Sequence, residues 1–486
     1  MKRITIDPIT RLEGHGKIEI FVGDDGQVAD TYFQIPELRG FEKFSQGRPV
    51  EELPRITTRI CGVCPEAHHM AGVKAADAVY NVEPPPAGRK LRELMYSTFY
   101  VADHTVHFYI LAGPDFVCGP KAPVAERNIL GLIQKVGIDA GKRVIGTRRK
   151  AQEIIQMLGG KAIHQVTAFP GGVSRGINEE ERQQIEEVAK DFVEFGEFTL
   201  EVFNDVVLGN PDYVDLVMSP TFRHETYYLG LMDDNNCPNF YDGKVRVVDP
   251  EGKEVAKFEP KDYLDHIVEH VEPWTYLKYP YLKSVGWKGL VDGADSGVYR
   301  SAPLARLNAA DGMATPKAQA AYEKMYDTVG GKPCHQTLAY HWARVIEIQY
   351  AAERMLELAQ DPDITSDDFR TVPTETPTEG VGCVEAPRGL LLHHYKTDEK
   401  GVVTDANLVV GTTNNYAPIT LSIKKAAQDL VSGNGDVDEG TLNMVEMAFR
   451  AYDPCFGCAT HNFGEGSPLE INIRRTDGSL IHSTRR

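Results

Sequence analysis

The sequence lacks the features that mark several large classes of protein. Its 52 lysine and arginine residues stand against 70 aspartate and glutamate residues, for a formal net charge of −18. Because nucleic-acid binding needs a positive surface that displaces counterions, we expect no nucleic-acid partner. No stretch approaches the roughly 20 apolar residues of a membrane-spanning helix, so no membrane span is expected either.

Signals for export and for repetitive architecture are also lacking. The N-terminus, from Met1 to Pro8, runs straight into a strand-like alternation and has no apolar region of the kind found in signal peptides. We find no internal repeat and no low-complexity segment. A hydrophobic content of 42% is ordinary for a globular protein. The length allows a large core.

Cysteine is scarce for a chain of 486 residues, with eight in total. That number is too small for a disulfide scaffold and favours a reducing, cytoplasmic location. Four cysteines are isolated singles, expected as buried free thiols that behave like small hydrophobic residues: Cys118, Cys237, Cys334 and Cys383.

The other four cysteines form two Cys-x-x-Cys motifs near opposite ends of the chain. Cys61 and Cys64 are closely followed by a histidine, and so are Cys455 and Cys458. A gap of two residues lets both sulfurs of a motif reach one ion, and four thiolates can close a soft-metal site. The fold must then bring the two ends of the chain together around that metal.

The residues alone leave structural zinc and an iron–sulfur cluster open as interpretations. Zinc-ribbon motifs usually lie about 15 to 20 residues apart, far closer than these two. Charged residues also adjoin both motifs, namely Arg59, Glu66 and Asp453. A purely structural site has no need of such groups, which weakens the zinc interpretation.

Periodicity predicts a mainly α protein with small peripheral β-sheets (α+β), whose core is a bundle of long helices. The helices are predicted from about Ala67, over Ala87–Leu111, over Asn178–Leu208 and over Gln336–Gln360. Hairpins are predicted within 15–34, 241–258 and 391–403, and a surface loop over 361–382.

Both cysteine motifs resemble the signature pairs of the large, catalytic subunit of nickel–iron hydrogenases. The resemblance extends through most of the chain, in Arg11–His15, Arg39–Glu42, Glu385–Gly389 and Leu408–Asn415. The segment Arg39–Arg59 is most similar to the cytoplasmic, multi-subunit branch of that family. This branch includes viologen-reducing enzymes and enzymes coupled to heterodisulfide reductase, to a deazaflavin or to a nicotinamide cofactor.

The resemblance implies a nickel–iron centre held by the four cysteines. Cys61 and Cys455 would bind nickel alone, while Cys64 and Cys458 would bridge nickel and iron. Carbon monoxide and cyanide would complete the iron ligands. The implied activity is reversible heterolytic cleavage of H₂ to protons and electrons, which suits soft thiolate donors around an open metal position.

The resemblance also implies catalytic roles for five residues near the metals. Glu13 would carry the proton, which it would receive through a terminal cysteine. Arg388 would lie over the open metal position, fixed by Asp103 and Asp453, and would add a positive charge that cannot be lost. His68 would hydrogen-bond a bridging sulfur.

Ordinary structural roles remain as alternatives for these residues. Glu13 could be a strand-end carboxylate that pairs with Arg11. Asp103 could face solvent on its helix, and Asp453 could begin a turn with Pro454.

Two further groups of residues follow from the resemblance. Thr412 and nearby backbone would hold a cyanide, while Val410 and Pro387 would line the apolar side of the iron. Glu42, the backbone carbonyl of Leu408 and His461 would form a site for magnesium or another hard cation, for which oxygen ligands are suitable.

Electrons released from H₂ must leave the chain, and the four remaining cysteines are too dispersed to hold a relay. The expected partner is therefore an iron–sulfur small hydrogenase subunit, together with further electron-transfer proteins such as heterodisulfide reductase or a flavin or deazaflavin module.

Residues 1–461 are predicted to be a single hydrogenase domain. In the family a nickel-dependent protease usually removes the segment after the last motif, so residues 462–486 are predicted to be a maturation peptide. An ordinary C-terminal strand is the alternative.

Two other functions remain open at this point. One is a non-catalytic scaffold protein with structural zinc, and the other is a hydrogen-sensing relative that turns over slowly.

Overall fold

Long helices form the centre of the protein, and short antiparallel sheets lie around them. The computed structural model describes residues 2–37, 40–431, 437–459, 470–474 and 480–485. The α-helices in this part of the chain are α1 Phe41–Ser45, α2 Leu53–Ile56, α3 Pro65–Val79, α4 Pro86–Val106, α5 Gly113–Val117, α6 Ile129–Val136, α7 Ile138–Gly159, α8 Glu179–Phe203, α9 Pro211–Met218, α10 Tyr263–His266, α11 Ala302–Ala309, α12 Pro316–Val329, α13 Tyr340–Gln360, α14 Tyr416–Leu430, α15 Glu439–Arg450 and α16 Phe456–Ala459.

The strands are short and mostly pair with neighbours in sequence. They are β1 Lys2–Ile6, β2 Lys17–Val22, β3 Val28–Gln34, β4 Ala168–Phe169, β5 Gly172–Val173, β6 Tyr227–Met232, β7 Lys244–Val248, β8 Glu254–Phe258, β9 Ile267–Val271, β10 Lys278–Leu282, β11 Tyr299–Arg300, β12 Glu379–Ala386, β13 Gly389–Thr397, β14 Val403–Val409, β15 Glu470–Arg474 and β16 Leu480–Arg485. The larger sheets have the orders β1-β2-β3, β11-β6-β7-β8 and β12-β13-β14. Only the pairing of β11 with β6 is parallel among the described strands.

Helix α13 lies at the middle of the helical bundle and packs against α4, α8 and α12. Apolar side chains at helical spacing line the inward face of α8, where Ile185, Phe192 and Phe195 are fully buried. Its N-terminus is fixed by a capping box, in which the Asn178 side chain accepts from the Glu181 amide. The apolar pattern and the cap together account for this 25-residue helix.

The predicted elements are present, with differences at their ends. Helix α3 begins at Pro65, where proline suits the first helical turn. The helix predicted to continue to Leu111 ends as an α-helix at Val106 and continues as a wider π-helical turn over His107–Ala112. The segment before α13 is a short 3₁₀ turn, and the predicted loop 361–382 already enters β12 at Glu379.

Strand β12 lies directly on α3, the helix that follows the first cysteine motif. A Cβ placed on Gly380 or Gly382 would overlap the α3 backbone near Ala75. The two glycines therefore allow an unusually close strand–helix contact. This contact connects the sheet β12-β13-β14, which precedes Thr412, to the first motif.

None of the described helices is long and apolar enough to cross a membrane. Cys118, Cys334 and Cys383 are buried free thiols as predicted, and Cys237 is partly exposed. Within residues 462–486, the described parts form the antiparallel hairpin of β15 and β16. The proposed division of the chain at His461 stays a prediction.

Candidate metal centre

The two cysteine motifs meet in the folded chain. The Sγ atoms of Cys61 and Cys455 are 3.5 Å apart, and those of Cys64 and Cys458 are 3.4 Å apart. All four sulfurs lie within 4.8 Å of one another. Each of these two contacts joins the two ends of the chain, and within the second motif the Sγ atoms of Cys455 and Cys458 are 2.7 Å apart.

Local structure directs these sulfurs to one point. Cys61 ends the 3₁₀ turn Thr57–Ile60 in an extended conformation, and Cys64 lies just before the first turn of α3. On the other side, Cys455 pairs with Glu13 in a parallel β-bridge. Cys458 lies in the short helix α16.

The four thiols are buried and differ in proton affinity. Burial alone would raise the pKa of Cys61, but hydrogen bonds from the other three cysteines lower it well below its ordinary value. Burial raises the pKa of Cys455 and of Cys458 well above that value. A cation among the sulfurs would stabilise all four as thiolates.

Glu13 lies against the second motif. Its Oε2 atom is 3.1 Å from Cys455 Sγ and accepts a hydrogen bond from the Gly457 amide at 2.9 Å. Its backbone carbonyl accepts from Phe456 N at 3.1 Å. Burial and the nearby Cys61 charge raise the pKa of Glu13. The alternative expected from the sequence, a pair with Arg11, is not formed, because Arg11 instead pairs with Asp115.

Arg388 is buried between two carboxylates. One of its terminal nitrogens is 3.1 Å from Asp103 Oδ2, and the other is 3.0 Å from Asp453 Oδ2. Burial alone would lower the pKa of Arg388, but the negative charges of Asp103 and Asp453 raise it well above its ordinary value. The guanidinium is therefore a permanent positive charge in a dry site. The solvent-exposed alternative for Asp103 is wrong, since Asp103 is 4% exposed.

His68 and Thr412 also lie at the centre. His68 Nδ1 is 3.1 Å from His393 Nε2, while His68 Nε2 is buried and has no hydrogen-bond partner in the described part of the chain. Burial lowers the pKa of His68 to about 4, so the ring is neutral. The Thr412 hydroxyl accepts from the Cys455 amide at 3.0 Å, which leaves its own hydrogen for another acceptor. Val410 and Pro387 are both buried.

The predicted hard-cation site is only partly described. Glu42 Oε1 accepts a hydrogen bond from Leu408 N at 2.8 Å, which joins two of the three expected residues. Burial raises the pKa of Glu42 to about 7. The third residue, His461, lies outside the described residues.

Two buried polar side chains beside the centre, Glu66 and His107, were not predicted from the sequence as site residues. Glu66 is recognisable in the sequence only as a charge next to a motif, yet it is buried and accepts from Gln165 Nε2 at 2.6 Å. His107 Nδ1 lies 2.8 Å from Asp453 Oδ1. The helical spacing of four residues between Asp103 and His107 is a signal that could have found the latter.

The residues fit a centre of soft metals. Four buried sulfurs from two motifs are a donor set for nickel and iron, and they are close enough to share two ions. The unpartnered, neutral Nε2 of His68 is available to a further group at the same place.

Comparison with known families identifies this arrangement. A family described as nickel-dependent hydrogenase matches residues 39–129 and 239–461, and a HoxL-like family matches residues 3–38. Together with the four converging cysteines, the match is decisive. The chain belongs to the nickel-dependent hydrogenase family.

Relatives of this hydrogenase span its whole length. It is 52% identical over 485 residues to an F420-non-reducing hydrogenase iron-sulfur subunit of Archaeoglobus profundus, covering 100% of both chains. It is 42% identical to an F420-non-reducing hydrogenase subunit of Methanothermobacter marburgensis, and 38% identical to the NAD-reducing hydrogenase HoxS subunit beta of Cupriavidus necator, with 99% of each chain covered in both cases.

A solved structure confirms the predicted fold class. A chain of an NAD⁺-reducing [NiFe]-hydrogenase, crystallised in the H₂-reduced state, superposes with a TM-score of 0.89 at 36% identity, covering 95% of this chain and all of the other. The hydrogenase is a catalytic large subunit that activates H₂, and its relatives are named as subunits of larger enzymes.

Proposed function

We propose that this hydrogenase subunit splits H₂ at a nickel–iron centre on Cys61, Cys64, Cys455 and Cys458. The observation that carries the proposal is the convergence of these four sulfurs from opposite ends of the chain. In this proposal Cys61 and Cys455 would bind nickel alone, and Cys64 and Cys458 would be shared between nickel and iron, which is compatible with the pairwise approach of the sulfurs. The bound metals would supply the Lewis acidity that heterolysis of H₂ requires.

Glu13 is the residue that takes the proton away from the centre. The role is supported by the distance of 3.1 Å between its Oε2 and Cys455 Sγ. A general base must lie within hydrogen-bond reach of the atom that delivers the proton. The two hydrogen bonds with the backbone of Phe456 and Gly457 hold Glu13 at that distance.

Arg388 presents a fixed positive charge to the centre. Its two ion pairs with Asp103 and Asp453 restrain both terminal nitrogens, so the guanidinium does not have to reorganise during the reaction. His68, from its buried position on α3, orients a bridging sulfur through its unpartnered Nε2.

The iron carries carbon monoxide and cyanide in this proposal. The Thr412 hydroxyl, whose oxygen already accepts from Cys455 N, donates its hydrogen to a cyanide. Val410 and Pro387 supply an apolar wall on the iron side. A hard cation such as magnesium is held by Glu42, the Leu408 carbonyl and His461, which is supported by the close approach of Glu42 to Leu408.

Electrons pass to an iron–sulfur partner subunit. Among the described residues, no cysteine cluster besides the metal centre could hold a relay. A relative named as a subunit of an NAD-reducing hydrogenase supports further electron-transfer subunits beyond that partner. Heterodisulfide reductase and a flavin or deazaflavin module are the kinds of subunit proposed, in a cytoplasmic complex.

Metal analysis and infrared absorption of the purified protein test the proposal together. We expect nickel together with iron, bands of metal-bound carbon monoxide and cyanide, and H₂-dependent reduction of a dye. The variant C64S should lose the bands and the activity. The control C383S, which also replaces a buried cysteine, should keep both.

Other outcomes separate the alternatives. Zinc without nickel would favour the scaffold function and overturn the proposal. Nickel, iron and the infrared bands with only very slow turnover would favour a hydrogen sensor.

We also propose that residues 462–486 are removed once nickel is loaded. Intact-mass analysis of active, nickel-containing protein should give a chain that ends near His461. A full-length active chain would contradict this part of the proposal.

A further inference from the structure

His107 is the first residue after the end of α4, one helical turn beyond Asp103. The helix begins its wider π-helical turn at this residue, and such turns are frequent at functional sites. Its Nδ1 atom is 2.8 Å from Asp453 Oδ1. Because Asp103 and Asp453 hold the two ends of the Arg388 guanidinium, the contacts run in series from His107 through Asp453 and Arg388 to Asp103.

Asp453 needs support of this kind. Its backbone has φ = +56°, in the left-handed region that residues other than glycine seldom adopt. Such a strained backbone conformation persists only where the surroundings fix it. One restraint is the bond from Arg344 to the carbonyl of Ala451 at 3.0 Å, and another is the bond from Asp453 N to Arg450 O at 2.9 Å. These act on the backbone, whereas His107 acts on the carboxylate.

We propose that His107 is a positioning residue, which holds the Asp453 carboxylate and through it the Arg388 guanidinium over the four cysteines. The inference rests on the role of Arg388 given under the proposed function. It deepens that function by naming a residue that touches neither the cysteines nor Arg388 through any described hydrogen bond or ion pair.

The surroundings of His107 agree with this role. The ring is 1% exposed, and neither of its nitrogens has a hydrogen bond of regular geometry in the described structure, so the approach to Asp453 is its closest polar contact there. Burial and the charges of Arg344 and Arg388 lower the pKa of His107 well below its ordinary value. A neutral imidazole has one N–H, and a carboxylate beside Nδ1 favours the tautomer that carries it there.

The packing of His341 against the His107 ring decides which substitutions of His107 are informative. His107 stacks on His341 with centroids 5.7 Å apart and an interplanar angle of 16°. His341 in turn borders an apolar cavity of about 280 Å³. Truncation to alanine would remove the ring that packs on His341 and would confuse packing with positioning. Phenylalanine keeps the ring, and asparagine places an amide nitrogen where Nδ1 lies.

The test compares H107F, H107N and H107Q in the nickel- and iron-loaded enzyme. We expect H107F and H107Q to lower dye-linked H₂ oxidation by about tenfold to a hundredfold, as misplaced catalytic groups do, and to shift the infrared bands of the metal ligands. H107N should keep the wild-type bands and most of the rate. H341F, which alters the stacked partner and not the contact with Asp453, should keep the wild-type bands.

A merely packed histidine would give a different pattern. Wild-type bands and rate in H107F would overturn the inference, and so would equal behaviour of H107N and H107Q, even if H107F failed to fold. A wild-type protein without nickel, iron or infrared bands would instead overturn the proposed function itself.

Discussion

Glu13 is held by three contacts that all involve the second cysteine motif. Its side chain reaches Cys455 Sγ and Gly457 N, and its carbonyl accepts from Phe456 N. A residue near the N-terminus is thereby fixed to a motif near the C-terminus. Its position depends on the backbone of that motif, and its chemistry depends on the carboxylate.

The variant E13Q separates position from chemistry. An amide can keep a hydrogen bond from Gly457 N but cannot carry a proton between sites, so turnover should fall by about a hundredfold or more. Metal content and melting temperature should stay as in the wild type. The exposed Glu180 supplies the control E180Q, which should leave turnover unchanged. A rate for E13Q within a factor of about two of the wild type would exclude Glu13 as the proton carrier.

At the level of residues, the sequence predicted the metal-binding cysteines themselves. It predicted few of the buried side chains that surround them. Cys-x-x-Cys spacing indicates a shared ion, but it leaves the metal open, and only the family resemblance pointed to Cys61 with Cys455. Glu66 and His107 were not predicted as parts of the site, because a buried carboxylate or imidazole has no local pattern of its own. Their burial results from packing between distant elements.

At the level of elements, local patterns predicted the hairpins and the long helices well. The hairpin β2-β3 turns through Gly23–Gly26, and α8 begins with a capping box, both of which are determined within a few residues. The parallel pairing of β11 with β6 joins Tyr299 to Tyr227. No short-range signal specifies such a long-range partner, so it was not predicted.

The close contact between β12 and α3 makes a prediction at the same scale. In G382A the new Cβ would overlap the α3 backbone at Ala71 and Ala75, and overpacking of this kind costs about 1–3 kcal/mol. Because α3 follows Cys64 and carries His68, we expect a lower melting temperature and a lower metal content.

The control for this substitution is G146A. Gly146 lies within α7, where a new Cβ meets nothing within 4 Å. Alanine there should stabilise the helix by about 0.5–1 kcal/mol. Equal effects of G382A and G146A on the melting temperature would contradict the close-contact explanation.

On the scale of the whole molecule, the metal centre is the point where the two ends of the chain are joined. Cys61 and Cys64 precede most of the helical bundle, and Cys455 and Cys458 follow it. Without a metal, the described contacts across this junction include the β-bridge of Glu13 with Cys455 and the hydrogen bonds from Phe456 and Gly457. Metal–sulfur bonds would add a restraint between residues 394 positions apart in sequence. Metal binding should therefore raise the stability of the whole folded chain.

Hydrogen exchange measured with and without the metals tests this coupling between the ends. Because a ligand that binds only the folded state stabilises it by mass action, the loaded enzyme should melt at a higher temperature than the metal-free protein. The amides of Phe456 and Gly457 should exchange more slowly once the metals are bound, since local opening there would require the cysteines to release them. Amides of β7, in a different sheet, serve as the internal reference for changes in global stability. If Phe456 and Gly457 were protected no more than β7, the centre would stabilise the fold without joining its ends.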